Sequence, residues 1–307
     1  MRVHFENIFN ALRTIKLNGY IFAISILVSL SVLISLGIAY ALHLQYVYWA
    51  GYACVRIMAD NKTMTLRRGI MRCVGTCIGL LLVIVLIYIF RHPWEIIVSI
   101  CLICVFSMAM AYYFKDYTYF FIMFCVTLGL FFYPYLVISK ADAINVVIER
   151  TFTTLIGVVV VCVMVLPFLK KSPKQSAISD KDKIKQLKES MGFAIIFAIT
   201  FLCVFIMAIP FKNVLLFEQA LIGVVAVTSA FETFKIRHLS ILRFLGCLVG
   251  LVLSFILGLL SLGVIWIILV SFLVLFLFSI VQLQGKDISY MGAQASLCFL
   301  TIIPQEI

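Results

Sequence analysis

The chain has 307 residues, of which 64% are hydrophobic and only 12% charged. A water-soluble domain carries roughly 45–50% apolar and about 25% charged residues, so this surplus excludes one soluble core. The net charge is +11, but the basic residues lie between apolar runs, with no basic stripe interleaved with aromatics. That pattern excludes a nucleic-acid-binding protein and points to membrane topology.

Residues 1–18 are polar and mildly basic and read as a cytoplasmic segment. A helix crosses the hydrocarbon core in about 20 residues. On that measure the chain offers eleven candidate transmembrane helices, at 19–42, 46–59, 73–90, 96–114, 117–138 and 151–169, then 191–209, 214–231, 244–260, 264–282 and 288–303. The expected fold is all-α and polytopic. The second candidate is short and contains Arg56. It is kept as a crossing helix on charge. With all eleven crossing and the N-terminus inside, every Lys and Arg except Arg91, Lys140, Arg150 and Lys212 falls on the cytoplasmic side, as the positive-inside rule requires.

The stretch 170–190, with seven lysines, three serines and Pro173, reads as a basic cytoplasmic linker. It separates a six-helix half, 19–169, from a second half, 191–307. Aligned on Arg72 and Arg243, the second half lacks a counterpart of the sixth helix. Tyr117 and Tyr290 pair as the next landmarks in that alignment.

The pattern Arg-x-x-(Gly/Thr)-x-x-x-Gly occurs at Arg72-Gly75-Gly79, Arg150-Thr153-Gly157 and Arg243-Gly246-Gly250. Each copy stands where an apolar run begins, so each arginine is expected at a helix start. There the free N–H groups and the guanidinium fork would together attract a carboxylate. The bland alternatives are interfacial snorkelling for Arg72 and Arg243, and a salt bridge to Glu149 or Asp142 for Arg150. Gly75, Gly79, Gly157, Gly246 and Gly250 are read as helix-packing positions. Arg72 and Arg150 open spans of opposite direction, the inverted-repeat pattern of secondary transporters.

Glu218 is the acidic residue lying clearly inside a span and a candidate for coupling or gating. Arg56 and Asp60, one turn apart, are the other coupling or gating candidates. Tyr48, Trp49 and Tyr52 form either an interfacial belt or a stacking surface for an aromatic substrate. No metal-binding set, phosphate loop or catalytic triad is present in the sequence, so no catalytic residue, metal, cofactor or enzyme activity is expected. Cys101-x-x-Cys104 has no His or carboxylate near it and reads as packing.

Tyr48-Trp49-Ala50, the turn 65–69 and Arg72-x-x-Gly75-Thr76-x-x-Gly79 together resemble the fusaric acid resistance family, also called the aromatic acid exporter family. The second half repeats this weakly, in Arg243-x-x-Gly246 and Tyr290-Met291-Gly292-Ala293-Gln294. The resemblance implies a multi-pass protein of the bacterial inner membrane that exports small, aromatic carboxylate anions. Many relatives carry a large soluble domain where this chain has only 170–190. The resulting expectation is a gradient-driven exporter of organic carboxylates with Arg72, Arg150 and Arg243 as the anion site. Its partners are the bilayer, the anion and further copies in a homo-oligomer, with no nucleic acid. A passive organic-anion channel and a non-transporting accessory subunit are the alternatives.

Overall fold

The computed structural model describes residues 10, 13–15, 17–59, 61–137, 139–170, 183–208, 210, 214–228, 233–260, 262–284 and 288–302. These residues form eleven α-helices and no strand. In chain order they are α1 (Gly19–Ala41), α2 (Tyr48–Ile57), α3 (Lys62–Ile89), α4 (Pro93–Tyr113), α5 (Thr118–Val137), α6 (Lys140–Met164), α7 (Lys183–Ala208), α8 (Val214–Thr228), α9 (Thr233–Leu259), α10 (Val264–Gln282) and α11 (Ser289–Ile302). The all-α polytopic expectation holds. Six helices, α1, α3, α4, α6, α9 and α10, are long and apolar enough to cross a membrane.

Local chemistry sets several helix starts. The Asn18 side chain accepts from the Tyr20 amide at 3.3 Å. Asn61 accepts from the Met64 amide at 2.8 Å. His92 and Glu95 form a reciprocal capping box ahead of Pro93, which satisfies donors that a helix start leaves open. Ser139 and Asp142 cap α6, the Asp142 amide donating to the Ser139 hydroxyl at 3.1 Å. Asp142 is therefore engaged at the cap.

The chain groups into two compact units. The first comprises Met1–Gly69, Thr153–Pro173 and Arg237–Ile307; the second comprises Ile70–Phe152 and Lys174–Ile236. These units are interleaved along the chain and do not coincide with the two sequence halves. Helices α3, α6 and α9 each run from one unit into the other. They are also the helices that carry the three motif arginines.

In the first unit, α1 packs on α2 and α10, and α11 packs on α2 and α10. Cys54 ties this unit together: its thiol lies 3.3 Å from the Ser35 hydroxyl and donates to the Gly157 carbonyl at 3.3 Å. Such small polar contacts fasten helices where lipid offers no hydrophobic drive. Helix α2 has ten residues, nine of them buried. At 1.5 Å per residue it rises only about 15 Å, roughly half the hydrocarbon core. Its helical part is thus shorter than the expected span at 46–59, and protein surrounds it. The Gln282 amide donates to the Val55 carbonyl at 2.8 Å near its end.

In the second unit, α4 packs on α5 and α7, and α8 packs on α5 and α7. Tyr112 stacks on Phe193 with ring centroids 5.4 Å apart. Large apolar side chains are exposed on the helix flanks of both units, among them Leu102 and Phe106 in the second and Ile265 and Trp266 in the first. Exposure of that kind along whole helices fits a bilayer, where lipid tails cover it.

Three helices start earlier than hydropathy indicates. The expected starts at 73, 151 and 244 become Lys62, Lys140 and Thr233. The preceding turns are polar but rich in good helix formers, so they extend the helix beyond the apolar window. The segment 170–190 lies mostly outside the described residues, but α7 already runs from Lys183, merging the tail of that linker with the span expected at 191–209.

Candidate functional site

The early starts overturn one premise. Arg72, Arg150 and Arg243 each stand ten residues after the first residue of their helix, Lys62, Lys140 and Thr233. Ten residues correspond to roughly 15 Å of rise. The helix N-terminal amides are therefore out of reach of the guanidinium groups. Any attraction for an anion comes from the arginines and the side chains beside them.

The glycines show how these arginines are placed. A Cβ on Gly75 would stand 2.8 Å from the Phe120 carbonyl oxygen and 3.2 Å from the Met123 Cβ. A Cβ on Gly246 would stand 2.6 Å from the Met291 carbonyl oxygen and 3.0 Å from the Gln294 Cβ. A Cβ on Gly79 meets the Thr127 Cβ at 2.9 Å, and one on Gly250 meets the Cys298 Cβ at 3.0 Å. Each residue of the first set recurs 171 positions later: Arg72 and Arg243, Gly75 and Gly246, Gly79 and Gly250, Phe120 and Met291, Met123 and Gln294, Thr127 and Cys298. So α3 on α5 and α9 on α11 are two copies of one helix contact. The third copy uses a partner that precedes it in the chain. A Cβ on Gly157 would stand 2.3 Å from the Ala50 carbonyl oxygen and 2.7 Å from the Ala53 Cβ.

This register corrects the tyrosine pairing. The counterpart of Tyr290 is Tyr119, not Tyr117. Tyr117 is exposed in the 3-10 turn Lys115–Tyr117 that precedes α5.

Arg72 is 2% exposed, so it does not snorkel. Its Nη1 donates to the Tyr119 hydroxyl at 3.3 Å and contacts the Met123 sulfur at 3.3 Å. Its Nε has no hydrogen-bond partner, and no carboxylate pairs with it among the described residues. The Thr76 hydroxyl, one turn further along the same face, also lacks a partner. Arg243 is half-buried and donates to the Gln294 side-chain oxygen at 2.7 Å. On the facing helix α11, the Gln294 amide nitrogen and the Tyr290 hydroxyl are buried without partners.

Arg150 is 1% exposed and Glu218 is 0% exposed, both in the second unit, and neither is a free charge. Arg72 shares that unit, whereas Arg243 lies in the first. Arg56 stands with its guanidinium carbon 6.0 Å from the centroid of the Tyr290 ring. Asp60, expected as its partner, lies outside the described residues. Tyr48, Trp49 and Tyr52 are buried, with ring centroids 5.0–5.5 Å apart. They pack against one another inside the first unit and are not an interfacial belt. The Tyr52 hydroxyl bonds to that of Thr301 on α11.

Sequence reading missed Thr76, Tyr119, Met123, Tyr290 and Gln294 as neighbours of the arginines. The signal available was the second-half Tyr290-to-Gln294 run, which repeats Tyr119-to-Met123 at the same spacing. Among the described residues no group of three or more His, Cys, Asp or Glu is placed to hold a metal ion.

Residues 17–164 match the family described as fusaric acid resistance protein-like. This supports the resemblance carried by Tyr48-Trp49-Ala50 and Arg72-x-x-Gly75-Thr76-x-x-Gly79. The matched segment includes α1 to α6, with the Arg72 and Arg150 copies. The 171-residue register carries the same packing into α9 and α11 beyond it. None of the curated proteins and none of the solved structures matches the chain. The match to this membrane transport family suggests a transport-related role in a lipid bilayer.

Proposed function

We propose that the protein transports small organic carboxylate anions across the bacterial inner membrane, driven by a gradient, in the direction of export. The observation that carries this reading is Arg72, 2% exposed, with its Nε unused and only a phenol oxygen and a thioether as acceptors. A buried arginine without a carboxylate partner carries a large desolvation cost in a low-dielectric setting. Neutral acceptors offset little of that, whereas a carboxylate takes both Nε–H and Nη–H in one planar fork. Thr76 and Tyr119 supply hydroxyls for the remaining lone pairs. Phe120, Phe121 and Phe124 cluster beside the α3 contact, with Phe120 and Phe124 stacked at 6.2 Å. They offer a surface for an aromatic ring on the substrate.

In this reading Arg243 with Gln294 is a second anion contact, Arg150 a third, and Glu218 serves coupling. The test is counterflow of radiolabelled benzoate and malate in proteoliposomes of the full chain. Saturable exchange, lost in Arg72→Gln at unchanged folded yield, is expected. Unitary currents without counterflow would replace the carrier by a channel. Silence in both assays would sink transport and leave the accessory-subunit reading.

A further inference from the structure

The 171-residue register exposes one paired substitution that packing does not require. Where the α3–α5 contact has Thr76 and Thr127, the α9–α11 contact has Cys247 and Cys298. Threonine fills the same places beside the same glycine spacing, so the thiols are not there to close a gap. A Cβ on Gly250 would stand 3.0 Å from the Cys298 Cβ, and Cys247 lies one turn before Gly250, so both cysteines sit at the α9–α11 contact; the two thiols interact electrostatically with each other and with the Arg243 guanidinium, one turn before Cys247. Neither cysteine is sealed, both being half-buried. Cys104 and Cys125 make the contrast: that pair is fully buried in the second unit, and Cys104 donates to the Cys125 carbonyl at 3.8 Å.

We infer that Cys247 and Cys298 form a two-thiolate site, between α9 and α11, for a monovalent soft metal ion of the Cu(I) or Ag(I) type. Three features select this ligand class. Thiolate sulfur prefers soft ions. No third His, Cys, Asp or Glu completes a larger set among the described residues, and zinc asks for four ligands. Two thiolates around a monovalent ion leave one negative charge, which the Arg243 charge balances. A divalent ion in the same place would leave net positive charge in a low-dielectric setting, where such charge is costly. Binding displaces the two thiol protons to solvent and needs no oxidant. The site does not depend on the anion reading above.

The test uses the full chain in detergent, with Cu(I) supplied from a bidentate chelator that single thiols do not outcompete. Wild type should withdraw one equivalent of Cu(I), and Cys247→Thr/Cys298→Thr should withdraw none. That double variant restores the residues of the α3–α5 contact, so it is expected to fold. Each single variant should weaken uptake at least 100-fold. X-ray absorption should show two sulfur neighbours. A footprint needs no variant: bound Cu(I) should shield Cys247 and Cys298 from iodoacetamide while exposed Cys203 still reacts. Equal uptake by the double variant, loss of uptake only on removing Cys104, or no shielding in wild type would each overturn the site.

Discussion

The two copies of the arginine contact share a backbone and differ in chemistry. In the second unit Arg72 faces Tyr119 and Met123; in the first, Arg243 faces Gln294. Glycine fixes the close approach in both, with backbone carbonyls 2.8 Å and 2.6 Å from where a Cβ would stand. The side chains around each guanidinium are then free to diverge. A 2.7 Å bond to an amide oxygen partly satisfies Arg243, whereas a thioether is a weak acceptor and leaves Arg72 wanting. The repeated contact keeps its packing while the polar partners of the two guanidinium groups differ.

The largest test of that difference removes each charge in turn. Arg72→Gln should lower carboxylate transport about 100-fold, the loss of a charge-assisted contact worth about 2.7 kcal/mol. Arg243→Gln should lower it only about fivefold, because its partner already occupies the guanidinium. Initial rates in proteoliposomes, normalised to folded protein, read both. Equal losses would mean that the two arginines act alike and that the contrast in acceptors is irrelevant.

The packing half of the comparison is tested at the glycines. Gly157→Ala sets a methyl 2.3 Å from a backbone oxygen and 2.7 Å from the Ala53 Cβ, with no flexible side chain to turn aside. The helices must part, at a cost of about 3 kcal/mol or more, the upper end of overpacking. Gly79→Ala meets Thr127, whose Cβ also cannot rotate away, but at 2.9 Å; its cost should be nearer 1–2 kcal/mol. Gly37 has nothing within 4 Å, so Gly37→Ala should hold or raise the melting temperature in detergent. Should Gly37→Ala prove as damaging as Gly157→Ala, close approach is not what the motif glycines provide.

Much of this was legible in the sequence, and the misses share a cause. Hydropathy finds where a chain is apolar, and that sufficed for the all-α class and for the six helices long and apolar enough to span. It does not see a polar turn that continues a helix. Residues 62–71 carry Lys62, Arg67 and Arg68 and still belong to α3, so an arginine expected at a helix start lies in its interior. The glycine spacing announced close packing correctly, but the partner helix lies 47–51 residues away from Arg72. Only the register across that distance shows that Tyr119, not Tyr117, answers Tyr290. Tyr48, Trp49 and Tyr52 looked interfacial because aromatic clusters near helix ends usually are. They are buried because α2 is too short to span and is enclosed by its neighbours.

A smaller substitution sharpens the contrast by converting one copy into the other. Met123→Gln places the amide of the Gln294 position opposite Arg72. A neutral oxygen accepting from a buried guanidinium contributes about 1.5 kcal/mol net, so the variant should melt higher than wild type. It should also bind carboxylate more weakly, since the fork then has an internal acceptor. Thermal unfolding with and without benzoate reads both effects in one experiment. A rise in stability with undiminished ligand shift would detach the thioether from anion binding.

The smallest expected effect lies at the paired tyrosines, and it separates a structural hydroxyl from a waiting one. The Tyr119 hydroxyl accepts from Arg72 at 3.3 Å, so Tyr119→Phe removes one of the few acceptors that guanidinium has. The loss should be about 1 kcal/mol. The Tyr290 hydroxyl is buried without a partner, and a buried hydroxyl that bonds to nothing contributes nothing by staying. Tyr290→Phe should therefore leave the ligand-free melting temperature unchanged or slightly raised. If an anion reaches Arg243, that same hydroxyl gains a partner in the bound state alone. Tyr290→Phe would then reduce the stabilisation by carboxylate while sparing the free protein, whereas Tyr119→Phe would reduce both. A Tyr290→Phe protein that loses stability without ligand would show that the hydroxyl already has work in the resting fold and that no anion is awaited there.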